Sequence, residues 1–321
     1  MFKNIPSILT ATQLLDQSIR STKKIQVHDR DKRYEIKKTV IKRTEIFITN
    51  LASTLESYVK NFPSINRLPL FYQDLIDIKI DTNKLKKSIG AVDWARKTSL
   101  KVYSAQSSSL TKSGNLEFLK QKQKEIYGRV SSIINQVDKN LVFLSNAQKV
   151  LRKLPDIEDI PTVVIAGYPN VGKSSIIRHL SAAKPEIAQY PFTTKQIYVG
   201  HIEKTVRYEK KRIQIIDTPG LLDRPLSERN KIEKQSIAAL RHLADLIVFI
   251  FDPSESCGYP MKDQTLMLND LKRLFSDLPV ILVENKLDIK NTGSSNLKIS
   301  CTTGEGIEEL RQKILFALEN I

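Results

Sequence analysis

The chain has 321 residues, 27% of them charged, and a formal net charge of +16. It is long enough for two domains that each bury a core, and no apolar run approaches the roughly eighteen residues that span a bilayer. Two cysteines, Cys257 and Cys301, without CxxC spacing argue against a disulfide framework or a zinc site; with no secretion-signal pattern at the N-terminus, they point to a reducing cytoplasm.

The charge is unevenly placed. Residues 1–155 hold 29 Lys+Arg against 13 Asp+Glu, whereas residues 156–321 hold 22 of each. Such asymmetry points to a polyanion partner for the first half alone, nucleic acid before an anionic membrane surface. A well-solvated helical surface is the bland alternative.

Residues 1–155 read as helix throughout, with apolar residues recurring at threes and fours. A short opening helix is expected near 11–21. Over 29–60, Ile36, Val40, Phe47, Leu51, Leu55 and Tyr58 mark one face. A short helix near 70–78 is expected to complete the bundle, and 84–110 carries a further stripe of Leu85, Ile89, Val92 and Trp94. From 115 to 154 the series runs Leu116, Leu119, Ile126, Val130, Ile133, Val137, Leu141, Leu144 and Leu151. These stripes read as core. The segment 104–109 reads as a loosening near a helix end.

On the second helix Arg33, Lys37, Lys38, Lys42 and Arg43 recur at four- to five-residue spacing, expected to line one side as a phosphate backbone requires. No helix is expected to combine a basic face with exposed Trp and Phe, as one lying on a membrane would.

Leu154-Pro155 closes the helical half. Beyond it TVVIAG (162–167), QIYVGHIE (196–203), RIQIID (212–217), DLIVFIFD (245–252), PVILVEN (279–285) and LKIS (297–300) are short β-branched runs, and helical stretches fall between most of them. That alternation predicts a doubly wound, mostly parallel sheet, with the second and third runs an antiparallel hairpin at one edge. The fold class is a helical bundle followed by a P-loop domain, divided at 155/156.

GYPNVGKSS (Gly167, Tyr168, Pro169, Asn170, Val171, Gly172, Lys173, Ser174, Ser175) matches G-x-x-x-x-G-K-[ST] between a strand and a helix. Backbone N–H groups of such a loop close on phosphates at the positive end of the following helix. Lys173 would reach the β and γ phosphates, and the Ser174 hydroxyl would ligate Mg²⁺. Asp217-Thr218-Pro219-Gly220 ends a strand, where Asp217 can hold a metal-bound water and Gly220 can offer its N–H to a γ-phosphate. In Asn285-Lys286-Leu287-Asp288, the carboxylate of a buried Asp288 suits the two donors of guanine and rejects adenine, which has neither. Asn285 can tie this loop to the phosphate loop, and the Lys286 stem can cover the base. Ser300-Cys301-Thr302 would bring a backbone N–H to guanine O6; Cys301 reads as a small turn residue, not a nucleophile.

These four elements resemble the translation-factor class of G domains, and AAKPEIAQYPFTTKQ resembles the YxFTT switch of the Obg family. IDTPGLLDRPLSERNKIEKQSIAALRHL and DPSESCGYP resemble its nucleolar GTP-binding protein branch, as does the basic helical half. The resemblance implies GTP hydrolysis in large ribosomal subunit assembly, rRNA or a pre-ribosomal particle as partner, and Thr194 as the threonine that ligates Mg²⁺ and senses the γ-phosphate. It also implies that Asn170 helps hold K⁺ beside the phosphates; a loop-stabilising hydrogen bond is the competing role. Members from eukaryotes continue far beyond the G domain, so a compact, archaeal, cytoplasmic and monomeric form is expected.

Where a signalling GTPase has a water-orienting glutamine, this chain has Leu221, which predicts a slow intrinsic rate raised by a ribosomal partner or K⁺. Arg224 and Arg229 are expected at the surface rather than as arginine fingers. His28, His179, His201 and His242 form no cluster. The alternatives are a nucleotide-gated RNA-binding scaffold with negligible hydrolysis, and a membrane-associated GTPase.

Overall fold

The computed structural model describes residues 2–154, 157–189, 196–206, 209–217, 222–223, 229 and 231–319. They group into two compact units, Met1–Arg67 with Lys79–Arg152, and Leu68–Ile78 with Lys153–Ile321. Before the sheet come helices α1 (Ala11–Lys23), α2 (Lys32–Asn61), α3 (Leu70–Lys79), α4 (Thr82–Lys112), α5 (Leu116–Gln136) and α6 (Asp138–Leu151).

In the first unit α1, α2, α4 and α5 each start at a side-chain cap that satisfies free N–H groups of the opening turn, whereas α6 has none. Asp31, Asp81 and Asn115 accept from the N–H of Arg33, Lys84 and Glu117, and Thr10 with Gln13 forms a capping box. The apolar stripes then meet in one core. Phe47, Leu51 and Leu55 of α2, Leu85 and Val92 of α4, Ile126 and Val130 of α5, and Leu141 and Leu144 of α6 are all buried. The Phe47 and Tyr127 rings lie 4.1 Å apart.

Several expectations are corrected. The stretch 115–154 is two helices, broken at Val137 (φ −98°, ψ 8°). The apolar phase continues through the break, so periodicity alone conceals it; the Asp138 carboxylate accepts the Ala11 N–H at 2.8 Å just beyond it. Residues 104–109 do not loosen. The hydroxyls of Ser104, Ser107 and Ser109 donate to carbonyls three residues back, and α4 continues to Lys112.

On α4 the buried stripe is Leu85, Ser88, Val92, Ala95 and Ser99, while Trp94 is 47% exposed. Helix α4 is thus basic with one exposed tryptophan, and no phenylalanine is exposed beside it among the described residues. Nor do the five cations of α2 share a side. At about 100° per residue, Lys38 and Lys42 oppose the core, Arg33 and Lys37 extend the core side toward the helix start, and Arg43 is on a flank. Arg43 donates from Nε to the Ile25 carbonyl at 2.9 Å, Lys42 pairs with Glu45 at 2.9 Å, and Lys38 pairs with Asp29.

Helix α3 does not complete the bundle; it groups with the second unit. Buried Tyr72 holds it there: its hydroxyl accepts from the Ile157 N–H at 2.8 Å and donates to the Ile157 carbonyl at 3.2 Å. Because α3 carries Asp74 and Asp77, this sharpens the charge asymmetry. The first unit has 28 Lys+Arg against 11 Asp+Glu, and the second 23 against 24.

The second unit contains a seven-stranded sheet in the order β2-β3-β4-β1-β5-β6-β7. The strands are β1 (Thr162–Ala166), β2 (Glu186–Gln189), β3 (Gln196–Val206), β4 (Glu209–Asp217), β5 (Leu246–Phe251), β6 (Val280–Glu284) and β7 (Leu297–Lys298). Helices α7 (Lys173–Leu180), α8 (Lys231–Leu240), α9 (Met261–Leu274) and α10 (Ile307–Glu319) alternate with them. β4, β1, β5, β6 and β7 are parallel, and β2 and β3 add antiparallel pairs. Every residue of β1 and β5 is buried, as expected of parallel strands covered on both faces. The expected β3–β4 hairpin is present, but β2 takes the edge outside it. EIAQ is four residues long with no clear alternation, so only pairing with β3 reveals it as a strand. The chain leaves β1 toward β4 on one side and β5 on the other, opening a crevice at the carboxyl ends of the strands.

Candidate nucleotide-binding site

The phosphate loop follows β1 and runs into α7. Gly167 (φ 143°) and Gly172 (φ 103°) occupy backbone conformations closed to other residues, and both are sterically enforced. A Cβ on Gly167 would stand 2.7 Å from the Ile250 carbonyl oxygen, and one on Gly172 would stand 2.2 Å from Asn285 Nδ2. Lys173 is buried, and its ammonium donates to the Gly167 and Tyr168 carbonyls at 2.8 and 2.7 Å. These bonds hold the cation at the mouth of the loop, within reach of phosphate oxygens.

Ser174 Oγ donates to Asp217 Oδ2 at 2.7 Å, and Asp217 is fully buried at the end of β4. A hydroxyl and a carboxylate converging beside a phosphate loop form an all-oxygen donor set, which fits Mg²⁺. Asn170 is exposed at φ 63°, and its amide makes no hydrogen bond to the described residues.

The base loop follows β6. Asn285 Nδ2 donates to the Val171 carbonyl at 2.8 Å, tying base loop to phosphate loop as its spacing suggests. Asn285 Oδ1 accepts the Cys301 N–H at 3.2 Å. Asp288 is exposed rather than buried, and the Ser300 hydroxyl orients it at 2.5 Å. Its carboxylate is thus aimed but open, and would be desolvated only by the base itself. Burial pushes the Cys301 thiol up to about 11, which disfavours the thiolate and any nucleophilic role. Thr302 follows, its N–H donating to Ser300 Oγ at 3.2 Å.

Thr194, Thr218, Pro219, Gly220, Leu221 and Arg224 lie outside the described residues. Arg229 is corrected: it is 4% exposed, not at the surface, and pairs with Asp223 at 3.3 Å. Its guanidinium is committed to a buried pair. The adjoining Leu222 carbonyl accepts the Gly167 N–H at 3.1 Å.

The structure gives a role to the DPSESCGYP loop, which the sequence marks only by its resemblance. Asp252, fully buried at the end of β5, accepts from Lys286 Nζ at 2.6 Å, Ser254 Oγ at 2.5 Å and the Cys257 N–H at 2.8 Å. Burial alone would raise this carboxyl; those hydrogen bonds outweigh it and hold the group below the usual carboxylate range. The Tyr259 ring stacks on Tyr168 of the phosphate loop at 4.1 Å, and buried Gln264 donates to the Tyr259 carbonyl at 2.8 Å. Residues 252–259 therefore brace both the base loop, through Lys286, and the phosphate loop, through Tyr168. An aspartate at a strand end is too common to carry this signal in sequence. His179 Nε2 lies 2.9 Å from the Cys301 carbonyl.

A phosphate loop after β1, a hydroxyl and a carboxylate meeting beside it, and the Asn285–Asp288 loop tied to it make this half a P-loop GTPase domain. Comparison with known proteins agrees. The NOG1 N-terminal helical domain matches residues 2–158, and the 50S ribosome-binding GTPase family matches residues 162–286. The chain belongs to the NOG1 family.

An uncharacterized protein of Methanocaldococcus jannaschii is 38% identical over 90% of this chain and 81% of its own length. Nucleolar GTP-binding protein 1 of Candida glabrata is 35% identical over 90% of this chain and 45% of its own, and that of Drosophila melanogaster 34% over 90% and 44%. A crystal structure from Plasmodium falciparum, described as a nucleolar GTP-binding protein 1, is 33% identical over 52% of this chain and 91% of that one, with a TM-score of 0.45. The chain thus spans less than half the length of the two nucleolar relatives.

Proposed function

We propose that this protein is a GTP-hydrolysing switch in large ribosomal subunit assembly, whose basic helical unit binds ribosomal RNA or a pre-ribosomal particle. The observation that carries this reading is the division of labour. A guanine-nucleotide site sits in a unit with 23 Lys+Arg against 24 Asp+Glu, and the same chain carries a helical unit with 28 against 11. The names of the matching family and of the nucleolar relatives support a ribosomal partner.

In this reading Lys173 neutralises the β and γ phosphates and Asp288 selects guanine. Ser174, Thr194 and Asp217 (through water) would hold Mg²⁺, which when bound screens the charge that builds on the phosphates. Thr194 and Gly220 follow the γ-phosphate and relax once it is lost. The Asn170 amide, which makes no hydrogen bond to the described residues, supports a K⁺ partner that raises a slow rate, and Leu221 supports the slowness. The setting we propose is the cytoplasm, as a monomer. Among the described residues no helix is long and apolar enough to cross a membrane.

The test is co-sedimentation with ribosomal particles in the presence of GTP, a non-hydrolysable GTP analogue or GDP. A nucleotide-dependent association with the large subunit or its precursors is expected; equal association in all three conditions would remove the switch. Single-turnover hydrolysis in K⁺ or Na⁺, with and without particles, decides between a switch and a scaffold that scarcely hydrolyses GTP.

A further inference from the structure

Helix α4 carries seven Lys+Arg and one acidic residue, the largest excess of any helix in its unit. Its outward face runs Lys87, Gly90, Ala91, Trp94, Lys97, Thr98 and Lys101, one residue every three or four. Trp94 is the single tryptophan of the chain, and it is 47% exposed. A helical side chain leans back over the residues three and four before it. Here those are Ala91 and Gly90, the two smallest residues available, and nothing lies within 4 Å of where a Cβ on Gly90 would stand. Glycine inside a helix costs about 1 kcal/mol relative to alanine. No close packing accounts for it at this site; what it provides is open space beside the indole.

Cations flank that space. Lys87 and Lys101 are exposed and make no ion pair with the described residues, whereas Lys97 is held by Asp93 at 2.7 Å. Lys87 and Lys101 each stand seven residues from Trp94, about 10 Å along the helix and almost in line with it.

We propose that this face of α4 binds single-stranded RNA, with a base stacked on Trp94 and flanking phosphates held by Lys87 and Lys101. The inference rests on the RNA-binding reading of the helical unit and names its surface and the form of RNA. An aromatic ring between cations is how nucleic-acid proteins hold an unpaired base, since every base has a π-face. A duplex keeps its bases stacked inside and offers none. An anionic membrane fits less well, because an interfacial helix needs a broad apolar face. The apolar face of α4 is buried in the core, and Trp94 is the one exposed large hydrophobic residue on this helix among those described.

Because Trp94 is the sole tryptophan, its fluorescence reports this site alone in the full chain. A short single-stranded oligoribonucleotide should quench it saturably, and a duplex of equal length should not. Trp94→Ala should weaken binding about tenfold at every salt concentration and leave the salt slope unchanged, with Trp94→Phe retaining most of the affinity. Lys87→Gln with Lys101→Gln should make the log–log slope shallower by about 0.7 for each phosphate no longer neutralised. Gly90→Leu, which fills the space without touching a cation, should reproduce the Trp94→Ala effect. RNA binding with unaltered Trp94 emission and no loss in Trp94→Ala would overturn this site while the RNA-binding reading stood. Equal quenching by duplex would overturn the single-strand assignment, and a blue shift on phosphatidylserine vesicles without quenching by RNA would replace it with a membrane surface. Failure to bind any RNA would remove both readings.

Discussion

At the residue scale the nucleotide site is a chain of mutual constraints. Gly172 must lack a side chain because Asn285 crosses it, and Asn285 holds the phosphate and base loops together. Lys173→Ala removes the one described cation at the phosphates, and equilibrium binding should show loss of tight GTP and GDP affinity. Near-normal affinity would place the site elsewhere. Asp288→Asn presents an amide donor to guanine's own donors and should weaken GTP about ten- to hundredfold, measured together with the loss of preference over xanthosine and inosine nucleotides.

Asp252 acts through Lys286. Removing one partner of a buried pair costs about 3 kcal/mol, so Asp252→Asn should lower the thermal midpoint and weaken guanine nucleotides together. Its pH signature has a definite sign. The folded-state pKa lies below the ordinary carboxylate value, so the contribution is complete above that value and is lost as pH falls through the lower, folded one. The gap in stability between wild type and Asp252→Asn should therefore be constant near neutrality and close on acidification below pH about 4. A gap independent of pH would show that the carboxylate charge is not what braces the loop.

At the scale of elements, α3 is the unexpected piece. Its periodicity is helical, and that much is readable, but periodicity does not say which core a short amphipathic helix joins. Tyr72 decides it by engaging both backbone groups of Ile157. Tyr72→Phe keeps the ring buried and leaves those groups unpaired, so it should cost about 1–3 kcal/mol in denaturant unfolding. No change in the unfolding midpoint would mean that water replaces both bonds. β2 and the break at Val137 were illegible for related reasons. A four-residue strand exists only through its partner, and a break that preserves apolar phase leaves no mark on the pattern.

At the scale of the whole molecule, charge separates the two units. The cations of α2 singled out by spacing are partly committed: Arg43 to backbone carbonyls, Lys42 to Glu45 and Lys38 to Asp29. Lys87 and Lys101 of α4 have no such ion pair among the described residues. Replacing Arg33, Lys37, Lys38 and Lys42 by Gln in the full chain should therefore flatten the salt dependence of RNA binding less, per charge removed, than replacing Lys87 and Lys101, with GTP affinity unchanged in both. Filter binding across a salt series measures the slopes, and equal flattening per charge would show that the α2 pairs open on binding.

What the sequence determined by itself is whatever short-range chemistry encodes. The helical and alternating halves follow from periodicity. The phosphate loop, Asp217 and the Asn285–Asp288 loop follow from a few residues at fixed spacing at strand ends, because nucleotide phosphates and guanine impose that spacing. What only the tertiary structure decided depends on residues far apart in the chain. The packing of α3 with the second unit, the brace from Asp252 and Tyr259, the burial of Arg229 and the exposure of Trp94 are all of this kind. Burial and pairing are properties of neighbours in space, and a side chain's neighbours in space are not written in its neighbours in sequence.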